Sequence, residues 1–170
     1  MSKLVVGVSV ICITCQILLE EVIPKGGVIY KDNLVILHHC LDINVAGYFI
    51  LSPIRHVESV DQLEQEEVFQ LATISKVIAE VIAKEHDIDR VYLLSLGEET
   101  THFHWHIFPR YKWMLNLPAE EIRTNGKVDG AKLFSFIRNK YKTDKQELFD
   151  NRILEILSSI KKQLRQAATN

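Results

Sequence analysis

The stretch that decides the fold alternates histidine with apolar side chains over ten residues: Thr101-His102-Phe103-His104-Trp105-His106-Ile107-Phe108-Pro109-Arg110. Successive side chains of a β-strand point to opposite faces, so the three histidines would share one face. Phe103, Trp105 and Ile107 would then pack in the core from the other face. We predict a strand over residues 103–108 that ends at Pro109, because proline cannot donate a hydrogen bond to a neighbouring strand. Three of the seven histidines within five residues exceed what packing requires, which indicates a functional site.

Two chemistries compete for this histidine triplet. Two imidazoles at positions i and i+2 of a strand can share one Zn²⁺ with further ligands from elsewhere. All three cannot readily reach one ion, since His102 and His106 are about 13 Å apart at ~3.3 Å per residue. Alternatively, the central His104 attacks an electrophile while a hydrogen bond to its other ring nitrogen selects the tautomer. We favour the nucleophile because this interpretation uses all three side chains.

The surrounding sequence predicts an α+β domain on an antiparallel sheet. Strands are expected over residues 28–31 and 34–37, as a hairpin about Asp32-Asn33, and over 48–51 and 90–96. Apolar residues recur at helical spacing over residues 65–85, and a capping box at Ser59–Gln62 would open a preceding turn. Residues 111–130 are expected to be irregular, and residues 132–140 to form a short helix. A C-terminal amphipathic helix carries an apolar stripe that we expect to pack on the sheet or on a second subunit: Phe149, Ile153, Ile156, Leu157, Ile160 and Leu164.

Length and composition set further limits. The chain has 170 residues, 47% apolar and 25% charged, which predicts one globular domain over residues 1–170. A formal net charge of −2 provides no global basic field, so we expect no nucleic-acid partner. The apolar run at residues 4–13 is shorter than the roughly 20 residues that cross a bilayer, and no small-residue cleavage site follows it. We therefore expect a cytoplasmic protein without a membrane partner.

Three cysteines, Cys12, Cys15 and Cys40, make a poor disulfide framework because their number is odd. The Cys-x-x-Cys spacing of the first two is typical of half of a zinc site, which needs about four ligands in total. Free buried thiols and a redox pair are the other two interpretations, although no thioredoxin-like βαβ pattern surrounds the pair.

The histidine strand, with Pro109-Arg110 after it, resembles the signature of the histidine triad (HIT) superfamily of nucleotide hydrolases and transferases. Cys12-x-x-Cys15 resembles the start of the zinc-containing branch of that superfamily, which includes diadenosine polyphosphate hydrolases. Further matching segments are Glu21-x-Ile23-Pro24, Val28-Ile29-Tyr30, Asp42-Ile43-Asn44 and Gly47-Tyr48-Phe49-Ile50-Leu51-x-Pro53-x-Arg55-His56-Val57. The resemblance covers a core of about residues 12–113 and leaves residues 114–170 as a C-terminal helical extension.

The resemblance implies a five-stranded antiparallel sheet with a long helix, usually paired into a homodimer. It also implies attack on the α-phosphate of a nucleotide phosphoanhydride or phosphoramidate, through a covalent nucleotidyl-histidine intermediate and without a metal in the chemistry. His104 would be the nucleophile, His106 a partner of the phosphate, and His102 a residue that orients the site.

Binding residues follow from the same resemblance. Asp42 would hold a ribose hydroxyl of a nucleotide, most simply a purine nucleotide, and Glu98, Thr101 and Arg110 would line the nucleotide site. A structural zinc ion would be held by four side chains: Cys12, Cys15, His56 and His102.

Three positions depart from the family pattern. Glu98 and Glu99 replace the usual Gln and Ser or Thr, and a carboxylate 4 Å from a phosphate charge is repelled by about 4 kcal/mol at an effective dielectric near 20. Tyr48 stands where many members carry histidine. Glu98 and Glu99 keep one rival function open, a catalytically weak HIT domain that binds nucleotides or a protein partner. The metal interpretation of the histidine strand keeps another open, a metal-dependent enzyme.

Overall fold

A five-stranded antiparallel sheet with strand order β1-β2-β3-β5-β4 forms the centre of the protein. The computed structural model describes residues 12–142 and 151–167. The strands are β1 (Val28–Lys31), β2 (Val35–His39), β3 (Phe49–Pro53), β4 (Ile88–Leu94) and β5 (Trp105–Tyr111), with a small separate hairpin of β6 (Arg123–Thr124) and β7 (Lys127–Val128). The helices are α1 (Ile13–Leu18), α2 (Gln65–Ile82), α3 (Lys112–Leu115), α4 (Gly130–Lys140) and α5 (Asn151–Ala167). The predicted α+β class and five-stranded antiparallel sheet are confirmed.

The first hairpin is closed by the side chain of Asp32. Its Oδ1 accepts hydrogen bonds from the backbone N–H groups of Leu34 and Val35 at 2.8 and 2.7 Å. An aspartate that bonds the backbone two and three residues ahead forms a tight turn, which is why β1 and β2 pair here. Every residue of β2 is buried, so this strand lies in the interior of the domain.

The long helix α2 begins at Gln65, as the helical spacing predicts, but the turn before it is not capped as we expected. A 3₁₀ turn does form at Val60–Gln62, but the Ser59 side chain makes no cap bond, and the Gln62 side chain accepts from the backbone N–H of Glu58 instead. The capping box lies instead at the start of α2, where the Glu67 carboxylate accepts from the backbone N–H of Glu64 at 2.9 Å. Glu67 is buried and also receives two bonds from Arg55, which supplies its counter-charge.

Strand β5 continues through Pro109 rather than ending there. Pro109 lies opposite Val91 of β4, whereas β3 pairs with β5 only as far as Ile107. Pro109 therefore has a neighbouring strand on one side only, where a missing N–H is tolerated. The strand also starts later than predicted, at Trp105, so that of the three histidines only His106 is a strand residue.

The segment after β5 is more ordered than we predicted. Residues 111–130 contain α3, a 3₁₀ turn at Glu120–Ile122 and the hairpin β6–β7. Helix α4 then begins at an N-cap formed by Asp129, whose Oδ1 accepts from the backbone N–H groups of Ala131 and Lys132. Phe134 of α4 packs edge-on against Phe108 and His106, at ring-centroid separations of 5.3 Å for both. This contact places α4 over the end of the sheet that carries the histidines.

Helix α5 packs on its own chain, against α2 and β1. Its buried stripe is the predicted one: Ile153, Ile156, Leu157, Ile160 and Leu164. Phe149, which we placed in the same stripe, lies outside the described residues, as does most of the apolar run at residues 4–13. Across the part of the chain that the structure describes, no helix is both long enough and apolar enough to cross a membrane.

Candidate active site and cysteine–histidine cluster

A cavity of about 260 Å³ opens beside the histidine segment. Its walls come from α1, the end of β2, the loop before the histidines, β5 and α4. The side chains that line it include His38, Cys40, Asp42, Glu98, Glu99, Thr100, His104, His106, Phe134 and Arg138. The pocket thus combines apolar walls with a few polar groups, which is typical of small-molecule sites.

His104 and His106 face each other inside this cavity. Their Nε2 atoms are 3.0 Å apart and both side chains are more than nine-tenths buried. The Nδ1 of His104 lies 2.8 Å from the backbone carbonyl oxygen of His102. Because a carbonyl only accepts, this bond places the proton of neutral His104 on Nδ1 and leaves a lone pair on Nε2. The contribution of His102 to this arrangement is its backbone carbonyl, not the imidazole that we expected to orient the site.

Both imidazoles are neutral at pH 7. Burial, together with the neighbouring His104 and Arg138, lowers the pKa of His106 to about 3. Burial also lowers the pKa of His104, and the charge of Arg138 lowers it further. An unprotonated ring nitrogen is the state in which histidine acts as a nucleophile.

Arg138 and Tyr48 connect α4 to the histidines. The Tyr48 hydroxyl lies 2.8 Å from Nδ1 of His106 and accepts a hydrogen bond from the Arg138 guanidinium at 2.9 Å. Arg138 also forms an ion pair with Glu99. Gly47 precedes Tyr48 with φ of +78°, a conformation that a residue with a side chain adopts only with strain.

The inner wall of the cavity carries a second polar group, His38. Its Nδ1 bonds the His39 carbonyl at 2.8 Å, while its Nε2 is buried without a hydrogen-bond partner. Asp42, at the other side, is 3.3 Å from the Lys142 ammonium group and partly exposed. Both residues are among those that line the cavity.

A second cluster lies behind the histidine segment. The ligand atoms of Cys12, Cys15, His56 and His102 are all within 4.8 Å of one another. His102 turns Nδ1 toward the sulfur atoms, 3.4 Å from Cys12 and 3.7 Å from Cys15, while its Nε2 donates to the Pro53 carbonyl at 3.0 Å. A histidine held by a backbone carbonyl at one nitrogen offers a lone pair at the other, the usual arrangement of a metal ligand. The four predicted metal ligands thus form a group compatible with zinc.

The family follows from sequence comparison. A model of the HIT domain matches residues 22–113, more than half of the chain. The chain belongs to the HIT family. An uncharacterized HIT-like protein of Methanocaldococcus jannaschii is 32% identical over 108 residues, which cover 59% of this chain and 80% of that protein.

Solved HIT structures share the fold. A Zn-bound histidine triad family protein from Mycobacterium smegmatis aligns over 92% of this chain and 96% of its own, with a TM-score of 0.58 and 18% identity. A hypothetical histidine triad nucleotide-binding protein from Sulfolobus tokodaii aligns over 91% and 95%, with a TM-score of 0.58 and 19% identity. The alignments extend well beyond the matched domain, so the fold likeness includes much of the C-terminal extension.

The HIT cavity brings together only some of the nucleotide-binding candidates. Asp42 and Glu98 line it, and Thr101 adjoins Thr100 in its wall. Arg110 is outside the lining, because its guanidinium pairs with Asp89 and donates to the Tyr92 hydroxyl at 2.7 Å. The cation that does line the cavity is Arg138, which sequence reasoning missed: it lies 90 residues from Tyr48 along the chain and in a segment without a family match.

Proposed function

We propose that this HIT protein is a nucleotidyl hydrolase or transferase that acts on a nucleotide phosphoanhydride or phosphoramidate. The observation that carries the proposal is the tautomer of His104: its Nδ1 lies 2.8 Å from the His102 carbonyl, which leaves Nε2 unprotonated on a side chain that lines the cavity. Family membership supports nucleotide chemistry in general terms. Among the described residues, the group that could hold a metal ion is Cys12, Cys15, His56 and His102; His104 lies outside it, which favours a nucleophile over a metal ligand.

In the proposed reaction, the lone pair of His104 Nε2 attacks the α-phosphorus. A bond from nitrogen to phosphorus forms, the bond from phosphorus to the leaving group breaks, and the leaving group takes a proton from solvent. The Nε2–H of His106 would turn from His104 to a non-bridging phosphate oxygen and stabilise its charge. Water then attacks the phosphorus, a proton is lost to solvent, and the nucleotide leaves as His104 is restored.

The cavity supports a nucleoside ligand. The Asp42 carboxylate can accept from ribose hydroxyls, in competition with Lys142. Thr101 follows the loop in the cavity wall and is proposed to supply a hydroxyl donor. Glu98 lines the same wall, and its charge is the observation that favours the alternative function, a domain that binds a nucleotide or a protein partner without turnover.

A structural zinc ion fits the cysteine–histidine cluster. Two thiols and two imidazoles are the donor set of closed zinc sites, and the solved Mycobacterium smegmatis protein of the same fold is Zn-bound. Burial and the neighbouring Cys12 raise the pKa of the Cys15 thiol to about 11, a shift that a divalent cation would offset by stabilising the thiolate. The ion would join α1 to His56 and His102, and we propose no role for it in the chemistry.

We also propose that the protein is a cytoplasmic homodimer. Strand β4 is an edge of the sheet, and Leu93 on that strand is 51% exposed. An apolar side chain on an open edge strand favours pairing with a second copy. Cys12, Cys15 and Cys40 form no disulfide, which favours a reducing compartment.

The test is turnover of an adenosine phosphoramidate, a dinucleoside polyphosphate and a guanosine counterpart by the wild type and by His104→Ala. We expect the variant to lose activity by at least about a thousandfold and to retain nucleotide binding, because only the bond to phosphorus is lost. Mass spectrometry of the wild type mixed with substrate should detect the nucleotidyl adduct on His104, provided that the sample is kept at neutral to alkaline pH, since the phosphorus–nitrogen bond is labile in acid. Nucleotide binding without turnover by the wild type would establish the alternative function. Equal turnover by the two proteins would exclude His104 as nucleophile.

A further inference from the structure

A chain of hydrogen bonds runs from α4 to the histidine segment. The first two bonds join Arg138 to the Tyr48 hydroxyl at 2.9 Å and that hydroxyl to His106 Nδ1 at 2.8 Å. The next two join His106 Nε2 to His104 Nε2 at 3.0 Å and His104 Nδ1 to the His102 carbonyl at 2.8 Å. All four lie within the range of good hydrogen bonds.

The two ends of this chain have only one possible role each. A guanidinium donates and never accepts, whereas a backbone carbonyl accepts and never donates. The carbonyl places the proton of neutral His104 on Nδ1, so His104 Nε2 accepts from the Nε2–H of His106. Neutral His106 then has an acceptor at Nδ1, to which the Tyr48 hydroxyl donates while its oxygen accepts from Arg138. With both imidazoles neutral, all four bonds are satisfied in one direction only.

We propose that Arg138 and Tyr48 are positioning residues that hold His106 in its Nε2–H tautomer, so that its proton points to the lone pair that the His102 carbonyl leaves on His104 Nε2. The tautomer is a property of the folded protein alone. Its value for catalysis rests on the proposed function, because the His106 hydrogen would be the donor that meets the phosphate.

Tyrosine suits this position better than histidine would. Burial raises the pKa of Tyr48, so the hydroxyl keeps its proton at neutral pH. A neutral imidazole has one acceptor nitrogen, which Arg138 would need, and one donor nitrogen, which His106 would need. These two nitrogens lie on opposite sides of the ring. One hydroxyl oxygen can accept and donate at a single point, which matches the close approach of Arg138 and His106.

Glu99 and Phe134 hold the arginine in place. The Arg138 side chain is 15% exposed, whereas its partner Glu99 is 65% exposed. The guanidinium also lies over the Phe134 ring, 5.8 Å from its centroid. The carboxylate at position 99 is thus neutralised by Arg138, which accounts for a negative charge at the rim of a cavity proposed to take phosphate.

The test reads the ring nitrogens directly, by long-range ¹H–¹⁵N correlation NMR of the ¹⁵N-labelled full chain at neutral pH, with His106 assigned from a His106→Asn spectrum. In the wild type, we expect Nδ1 of His106 to have the ¹⁵N chemical shift of an unprotonated nitrogen and Nε2 of His106 to have that of a protonated nitrogen. Tyr48→Phe and Arg138→Met should each give a mixture with protonated Nδ1. Arg138→Lys, which keeps a donor for Tyr48, should restore the wild-type pattern.

The molecule contains a matched control for these variants. Arg110 donates to the Tyr92 hydroxyl at 2.7 Å and pairs with Asp89. This is the same combination of arginine, tyrosine and carboxylate as Arg138, Tyr48 and Glu99, but Arg110 lies outside the cavity lining. Tyr92→Phe and Arg110→Met should leave the nitrogen shifts of His106 unchanged. If the protein turns over nucleotides, Tyr48→Phe should lower kcat about tenfold with KM unchanged, since the lost effect concerns the reacting atoms.

Two results would overturn the proposal. One is a protonated Nδ1 of His106 in the wild type, and the other is a Tyr48→Phe or Arg138→Met spectrum identical to that of the wild type. A protein without turnover would refute the proposed function and leave the tautomer to be decided by the same spectra.

Discussion

The carbonyl oxygen of His102 lies 2.8 Å from Nδ1 of His104, while the imidazole of the same His102 faces Cys12 at 3.4 Å. One residue therefore belongs to two sites, with its backbone at the cavity and its side chain in the cysteine–histidine cluster. Any change that displaces the His102 ring will also move the acceptor that selects the His104 tautomer. We expect the two sites to be coupled for this reason.

The cluster should hold about one zinc ion per chain, measured by elemental analysis of protein purified without chelators. Cys15→Ser removes one of four ligands, so zinc content and Tm should both fall. If zinc is present at about 100 times its Kd, its loss lowers the free energy of unfolding by about 2.7 kcal/mol. Cys40→Ser is the control, because Cys40 lies outside the cluster, and it should keep its zinc. Undiminished zinc in Cys15→Ser would exclude this site.

Arg55→Met should lower the free energy of unfolding by about 2 kcal/mol, because it leaves the buried Glu67 carboxylate without its counter-charge. Lys76→Met removes an ion pair with Glu80 on the exposed face of the same helix and should cost less than about 0.5 kcal/mol. Urea unfolding of both variants checks this. Equal losses would show that the Arg55–Glu67 pair does not anchor α2.

Stability should fall between about pH 6.5 and pH 4 because of His38. Burial, and to a smaller extent the neighbouring His39, lowers the pKa of His38 to about 4 in the folded protein. The unfolded chain binds the proton more readily below its ordinary pKa of about 6.5, so the stabilisation is complete above that value and is lost as the pH falls toward 4.

The variant His38→Asn keeps a donor for the His39 carbonyl and removes the titrating ring. Between about pH 7 and about pH 4.5, the titration of His38 should lower the free energy of unfolding of the wild type by on the order of 2 kcal/mol. The variant lacks this group and should not show that part of the decrease. Urea unfolding of both proteins at about pH 7 and about pH 4.5 measures the difference. Identical pH dependence would mean that His38 does not contribute.

Helix α5 should stabilise the domain through its buried stripe. Ile160→Ala should cost about 2–5 kcal/mol, since Ile160 is fully buried, whereas Leu154→Ala on the exposed side of the helix should cost less than about 1 kcal/mol. Thermal and urea unfolding provide the comparison. A chain ended at residue 145 that remained as stable as the full chain would refute a structural role for α5.

Leu93→Arg should convert the proposed dimer to a monomer in light scattering, because it places a charge on the open edge strand β4. Phe69→Arg changes an exposed apolar residue on α2 and should leave the mass unchanged. A monomeric wild type would refute the dimer.

The elements that could be predicted from sequence depend on near neighbours along the chain. The β1–β2 hairpin follows from Asp32, whose side chain bonds N–H groups two and three residues away. The helical stripe of α5 follows from residues three and four apart. Local signals failed where pairing decided the outcome: Pro109 is tolerated inside β5 only because β3 stops pairing at Ile107.

By itself, the sequence determined the family, the α+β class and the four residues of the cysteine–histidine cluster, because these depend on residue type and short spacing. Only the tertiary structure decided that the His102 ring belongs with Cys12, that Arg110 pairs away from the cavity, and that Arg138 reaches Tyr48. Arg138 and Tyr48 are 90 residues apart, and their contact exists because Phe134 packs α4 against Phe108 and His106. No local pattern encodes such a contact, since burial and side-chain packing arise only when distant segments of the chain come together.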